Sequence, residues 1–238
     1  MALKSIVPHR LLHKKYMIKY KEIRDLSELR PETGTDILLI VGDATGVFDD
    51  LEAFLDFGMI FDTMCINYSK EAVPWPIQHF IAGDSHMKEM QDVARSLGPE
   101  VIKHCWNPNS RAFDVRWVRN TSGGWNGTTA NLGIKIGICL DYLRIVLAGI
   151  PMDDSGNWYA PYLPLNDVKQ NKDHRHHLWK WTEIASRPLA HFIRSMSGNT
   201  MDLFGRPTKE WLTFQPETGE ERWPQLKNLP EPQKTMSV

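Results

Sequence analysis

Three histidines within four residues, His174, His176 and His177, form the densest group of side chains able to move a proton near neutral pH. One of them could act as a general base toward a hydroxyl. A metal site and a solvated polar turn are the other readings of the same run. Partner ligands at a defined metal spacing are missing, so no metal is assigned. Polar groups also follow three apolar runs: Asp43 and Thr45 in Gly42-Asp43-Ala44-Thr45-Gly46, Asn67 in Asn67-Tyr68-Ser69, and Asp84 in Gly83-Asp84-Ser85-His86. Asp43 would suit a ribose, a base or a metal, or would simply cap a loop. A Gly-rich turn containing Ser122, Gly123 and Gly124 precedes the run Thr128–Leu140. If that run is a helix, its free N–H groups and dipole make Ser122, Gly123 and Thr128 a phosphate cradle; the glycines could equally serve only as a turn. Asp153 and Tyr159 follow another apolar run.

These groups need a scaffold that brings loop tips together. Ile37–Val41 is five consecutive aliphatic residues, which suits a strand covered on both faces, as in a parallel sheet. Helical spacing follows in Val47, Phe48, Leu51, Phe54 and Leu55, with Asp49 and Asp50 in the first turn, where the dipole favours carboxylates. Further strands are predicted at Phe61–Ile66, Gln78–Ala82, Val101–Trp106, Trp117–Asn120, Leu143–Leu147 and Phe192–Met196. Helices are predicted at Met87–Leu97, closed by Gly98, at Thr128–Leu140, and at Asp202–Leu212; Ala185–Ile193 reads as helical. Alternation of this kind implies an α/β, Rossmann-like, mostly parallel sheet with helices on both faces. Ligands bind such folds at the carboxyl ends of the strands. The fingerprint GxGxxG of dinucleotide-binding proteins is missing from the first loop.

A single domain is expected from 238 residues, 42% of them hydrophobic. Residues 1–30 read as a peripheral segment with an amphipathic element (Ile18, Ile23, Leu26, Leu29), 31–214 as the nucleotide-binding domain with a lid over about 154–182, and 215–238 as a tail. Lys plus Arg number 28 against 29 Asp plus Glu, so no global field draws the chain to nucleic acid or an anionic membrane. Cys65, Cys105 and Cys139 lie far apart in apolar segments and read as buried thiols of a reducing compartment. No apolar run approaches the roughly 20 residues of a membrane span, so a cytoplasmic protein is expected. Oligomeric state is not readable, and a homo-oligomer stays open.

The order VGDATG, CINYS, NTSGG with its helix, LAGIPM with NWYAP, and then a His-bearing segment resembles the Rossmann-like bacterial sialyltransferases of glycosyltransferase family 42 and the related 6-hydroxymethylpterin diphosphokinase-like proteins. The likeness spans roughly residues 37 to 200, and the SMSGNT ending resembles phage-encoded members of that superfamily. It implies a nucleotide-sugar donor, CMP-linked in the sialyltransferases, and a hydroxyl-bearing acceptor. Gly42 and Thr45 would lie near the donor phosphate or ribose, Asn67 near ribose or cytosine, Ser122 and Gly123 on the nucleotide, and Tyr159 on the phosphate. One of His174, His176 and His177 would be the base, with His177 preferred. Asp43 stands where the sialyltransferases place an Asn, and Pro151-Met152-Asp153 replaces their Ile-Asp-Phe exit.

The expectation is therefore a glycosyltransferase without a required cofactor. Mg²⁺-dependent diphosphate transfer from ATP to a pterin-like alcohol is the alternative, with Asp43, Asp84 and Asp153 as candidate ligands. A nucleotide-binding protein without turnover is a third reading.

Overall fold

A computed structural model describes residues 17–19, 29–106, 111–117, 128–158 and 174–214. Its centre is one sheet of eight strands, in the order β1-β6-β5-β4-β3-β2-β7-β8. The strands are β1 (Met17–Lys19), β2 (Ile37–Val41), β3 (Asp62–Ile66), β4 (His79–Ala82), β5 (Ile102–Cys105), β6 (Val115–Trp117), β7 (Arg144–Ala148) and β8 (Ile193–Ser195). Strands β2 to β8 pair in parallel, and β1 adds an antiparallel edge beside β6. The helices are α1 (Val47–Leu55), α2 (Lys88–Ser96), α3 (Thr129–Cys139), α4 (Leu178–Ala185), α5 (Gly198–Phe204) and α6 (Lys209–Thr213).

The two-residue side-chain period explains why β2 is aliphatic throughout. Leu38 and Ile40 pack under α3 and α4 with Trp181 and Ile184, while Ile37, Leu39 and Val41 pack under α1 and α2 with Leu51, Phe54 and Met90. Right-handed crossovers account for the two layers. From β2 to β6 the chain steps in one direction, with α1 and α2 on one face; from β7 to β8 it steps the other way, so α4 joins α3 on the opposite face. The reversal falls between β2 and β7, and their carboxyl ends are the switch point of the sheet.

Several expected elements are corrected. The N-terminal amphipathic element is the strand β1 over its described part, because its backbone completes the β6 edge. Of the strand expected at Trp117–Asn120, Trp117 ends β6 as described, which begins at Val115 and pairs with His104 and Cys105, and 118–120 lie outside the described residues. Helicity across Ala185–Ile193 gives way to a 3₁₀ turn, Pro188–Phe192, and then β8. The helix expected over Asp202–Leu212 is two, because Gly205 at φ +79° and then Pro207 cannot continue α5. Of the expected lid, 159–173 lies outside the described residues, and its last part is α4, anchored by the fully buried Trp181. All three cysteines are buried. Among the described residues, no helix is long and apolar enough to cross a membrane.

A buried polar chain crosses the sheet beneath the α3 layer. Trp117 Nε1–H donates to His104 Nδ1 at 3.1 Å, and since an indole nitrogen only donates, His104 carries its proton on Nε2. That N–H donates to His79 Nδ1 at 3.1 Å, so His79 is protonated on Nε2 and donates to the Tyr142 hydroxyl at 3.3 Å. Tyr142 in turn donates to Asp62 Oδ2 at 2.6 Å, where Thr33 also donates. Every proton in this run is thus assigned, and the bonds all point towards Asp62.

Candidate functional site

At the switch point the exits of β2 and β7 are joined directly. Gly42 N–H donates to the Ala148 carbonyl (2.8 Å) and Ala44 N–H to Gly149 (3.1 Å), which extends the strand pairing beyond the sheet. The chain after β7 then folds back: Thr45 N–H donates to Gly156, Trp158 N–H to Asp43, and Ala44 bridges Asn157 in antiparallel sense. The Thr45 hydroxyl donates to Ser155 O at 2.7 Å and to Gly156 O, so it holds this returning loop. Asp153 caps the same loop by accepting from Ser155 N–H. His174 N–H donates to the Asp153 carbonyl at 3.0 Å, and Arg175 pairs with Asp154 at 3.4 Å. The histidine turn therefore abuts the β7 exit, with the rings of His176 and His177 3.8 Å apart between centroids.

Asp43, Thr45, Asp153 and the three histidines thus gather around the ends of β2 and β7. Asn67 and Asp84 are placed further along the same edge, after β3 and β4. Tyr68, next to Asn67, has its phenol raised above the ordinary value, first by burial and then by the Glu89 and Asp43 carboxylates. Asn67 adopts φ 52°, which asparagine tolerates, and its Oδ1 is buried with no hydrogen-bond partner among the described residues. Ser85, beside exposed Asp84, is fully buried and its Oγ likewise has no partner among the described residues. The head of α3 stands over the end of β4, since a Cβ on Gly83 would come within 2.4 Å of Thr129 Oγ1. Thr128 caps that helix by accepting from Asn131 N–H. Ser122, Gly123 and Tyr159 lie outside the described residues.

No protein family, curated protein or solved structure matches this chain. Among the described residues no three His, Cys, Asp or Glu side chains gather closely enough to hold one ion, so Asp43, Asp84 and Asp153 do not form a three-carboxylate cage.

Two groups of supporting residues escaped the sequence reading. Asp50 is buried, and its Oδ2 accepts from Gly149 N–H at 2.7 Å and Ser197 Oγ–H at 2.6 Å. Burial raises its pKa, opposed by those two bonds and by the Arg206 charge. The second group is the Ser197–Thr200 run. Asn199 Nδ2 donates to Met152 O and Thr200 Oγ1 to Ile150 O, holding a β7 exit that includes Met152 at φ 53°. The signal available in sequence was a run of short polar side chains directly after the last strand. Asp50→Ala removes the acceptor of a buried backbone N–H and should cost about 2 kcal/mol; urea midpoints of the two proteins measure it.

Proposed function

We propose that the protein is a glycosyltransferase whose nucleotide-activated donor lies over the carboxyl ends of β2, β3, β4 and β7. The observation that carries this reading is the meeting of the histidine turn with the β7 exit at the switch point, beside the Asp43 backbone, with the Asn67 amide oxygen, unpartnered among the described residues, at the neighbouring β3 exit. In this reading Asn67 accepts from the nucleoside. Ser122, Gly123, Tyr159 and the free N–H groups at the head of α3 receive the charge that builds on the departing phosphate. His177 removes the proton of an acceptor hydroxyl, which is worth about 10²–10⁴-fold in rate. Gly42, Asp43, Thr45 and Asp153 shape the two exits that frame the donor, with His174 and His176 beside the base.

Ligand-induced shifts of melting temperature test the donor, because a ligand bound only by the folded chain must stabilise it. CMP or another pyrimidine nucleotide should raise the melting temperature without metal. His177→Ala should leave that shift intact while lowering turnover with the matching activated sugar by about 10²-fold or more. Stabilisation by ATP with Mg²⁺ alone would replace this reading with diphosphate transfer. Retention of an intact nucleotide without turnover would replace it with a binding protein.

A further inference from the structure

On the outer side of α1 an open groove of about 420 Å³ runs from Phe48 to Asp56, walled on the other side by Ala72, Pro74 and Trp75. Its floor and lips are apolar. Phe48 is 51% exposed and Leu55 44%, and their separation of seven residues sets them on one stripe of the helix. At the upper end Phe48 meets Trp158 edge-to-face at 5.4 Å, and Trp75 is fixed by donating to Thr63 Oγ1. Between and beyond the apolar anchors stand Glu52 and Asp56, both exposed, one turn apart, and neither in an ion pair with a described residue. Lys70, in the turn leading to the far wall, directs its ammonium to the Val73 carbonyl.

We propose that this groove docks a cationic amphipathic polypeptide segment, with apolar side chains against Phe48, Leu55 and Trp75 and a Lys or Arg between Glu52 and Asp56. Four physical arguments select that occupant. The groove is open to solvent and runs along eight residues of helix, about 12 Å, which suits a stretch of chain laid along it. Two unpaired carboxylates beside apolar surface favour a partner of opposite charge. A second copy of this chain is disfavoured, because a two-fold interface centred here would set Glu52 and Asp56 against their own equivalents. An anionic membrane surface is disfavoured by the same charges. The surface stands on its own observations and does not depend on the reaction assigned to the carboxyl edge.

The probe is a fluorescein-labelled peptide of about twelve residues, roughly three helical turns, built from leucine and lysine in amphipathic order, with an isomorphous leucine–glutamate peptide as control. Anisotropy titrations use the full chain. The cationic peptide should bind at least about tenfold more tightly than the anionic one. Glu52→Lys with Asp56→Lys should reverse that order, and Leu55→Ser should weaken binding of the cationic peptide about tenfold; all three positions are exposed, so the fold is retained. Equal affinity for the two peptides, binding of neither, or a double variant with unchanged preference would overturn the proposal. So would a concentration-dependent dimer abolished by Leu55→Ser, which would make the groove a self-interface.

Discussion

Gly42→Ala is expected to destabilise the protein by about 3 kcal/mol, and Gly149→Ala by about 4 kcal/mol. The added methyl at Gly42 would lie 2.4 Å from the Gly149 carbonyl oxygen and 2.5 Å from Ile150 Cγ1. Neither can withdraw, because Ile150 is buried and its carbonyl accepts from Thr200, while Gly149 N–H is held by Asp50. At Gly149 the Cβ would strike Val47 at 2.7 Å and the Gly42 carbonyl oxygen at 2.9 Å. Its φ of +64° adds the penalty of a left-handed conformation, about 1 kcal/mol. Gly46→Ala is the control: nothing lies within 4 Å of its Cβ and φ is −81°, so the change should be within about 0.5 kcal/mol of neutral. Equilibrium denaturation of the three variants decides the matter. If Gly42→Ala proves as stable as Gly46→Ala, the two exits are not packed as described. The consequence reaches the candidate site, since these glycines let the loops carrying Asp43 and Asp153 approach each other. In this structure the side of Gly42 that would carry a Cβ faces protein.

The sheet was legible because its central strands are apolar without alternation. Ile37–Val41 reads as a strand covered on both faces in sequence and is one in the structure, to the residue. The end of the chain was less legible. Phe192–Met196 is close to β8, but the break at Gly205 and Pro207 is local backbone chemistry inside a segment whose spacing still looks helical. At the edge, the polar residues after β2, β3 and β4 follow from strand ends alone, whereas the seating of the histidine turn on Asp153 depends on a backbone bond between positions distant in sequence, which no periodicity encodes. Asp50 shows the same limit. As a first-turn carboxylate it looks like a response to the helix dipole, but its partners, Gly149 and Ser197, are 99 and 147 residues away. The polar chain from Trp117 to Asp62 was invisible for that reason too: its histidines occupy strand positions, His79 in β4 and His104 in β5, where sequence suggests only core.

That chain should make the protein acid-labile. Burial lowers the pKa of His79 to about 3, and burial together with the neighbouring His79 holds His104 well below the ordinary histidine value. Geometry gives the same direction independently, because both nitrogens of each ring are committed. A second proton on His104 would set N–H against the Trp117 N–H, and one on His79 would set N–H against the His104 N–H. For groups whose folded pKa is depressed, the unfolded chain binds more protons, so stability rises with pH. The contribution is complete above about pH 6.5 and is lost as pH falls from there towards 3. Asp62 and Asp50 act in the opposite sense, since burial raises both carboxyls and the folded chain then holds protons that the unfolded chain has lost. Their effect begins near the ordinary carboxylate value, well below the top of the imidazole window. Near pH 6 unfolding should take up about 1.5 protons from the two histidines. Unfolding calorimetry in buffers of different ionisation enthalpy measures that number, and an uptake from the pair of only about 0.5 protons would mean that one ring is charged in the folded chain. Tyr142→Phe supplies the second reading, because it removes the acceptor for His79 Nε2–H and a donor to Asp62 while keeping the ring. It should cost about 2–3 kcal/mol at neutral pH, yet leave the proton uptake of the imidazoles in place, since they remain buried.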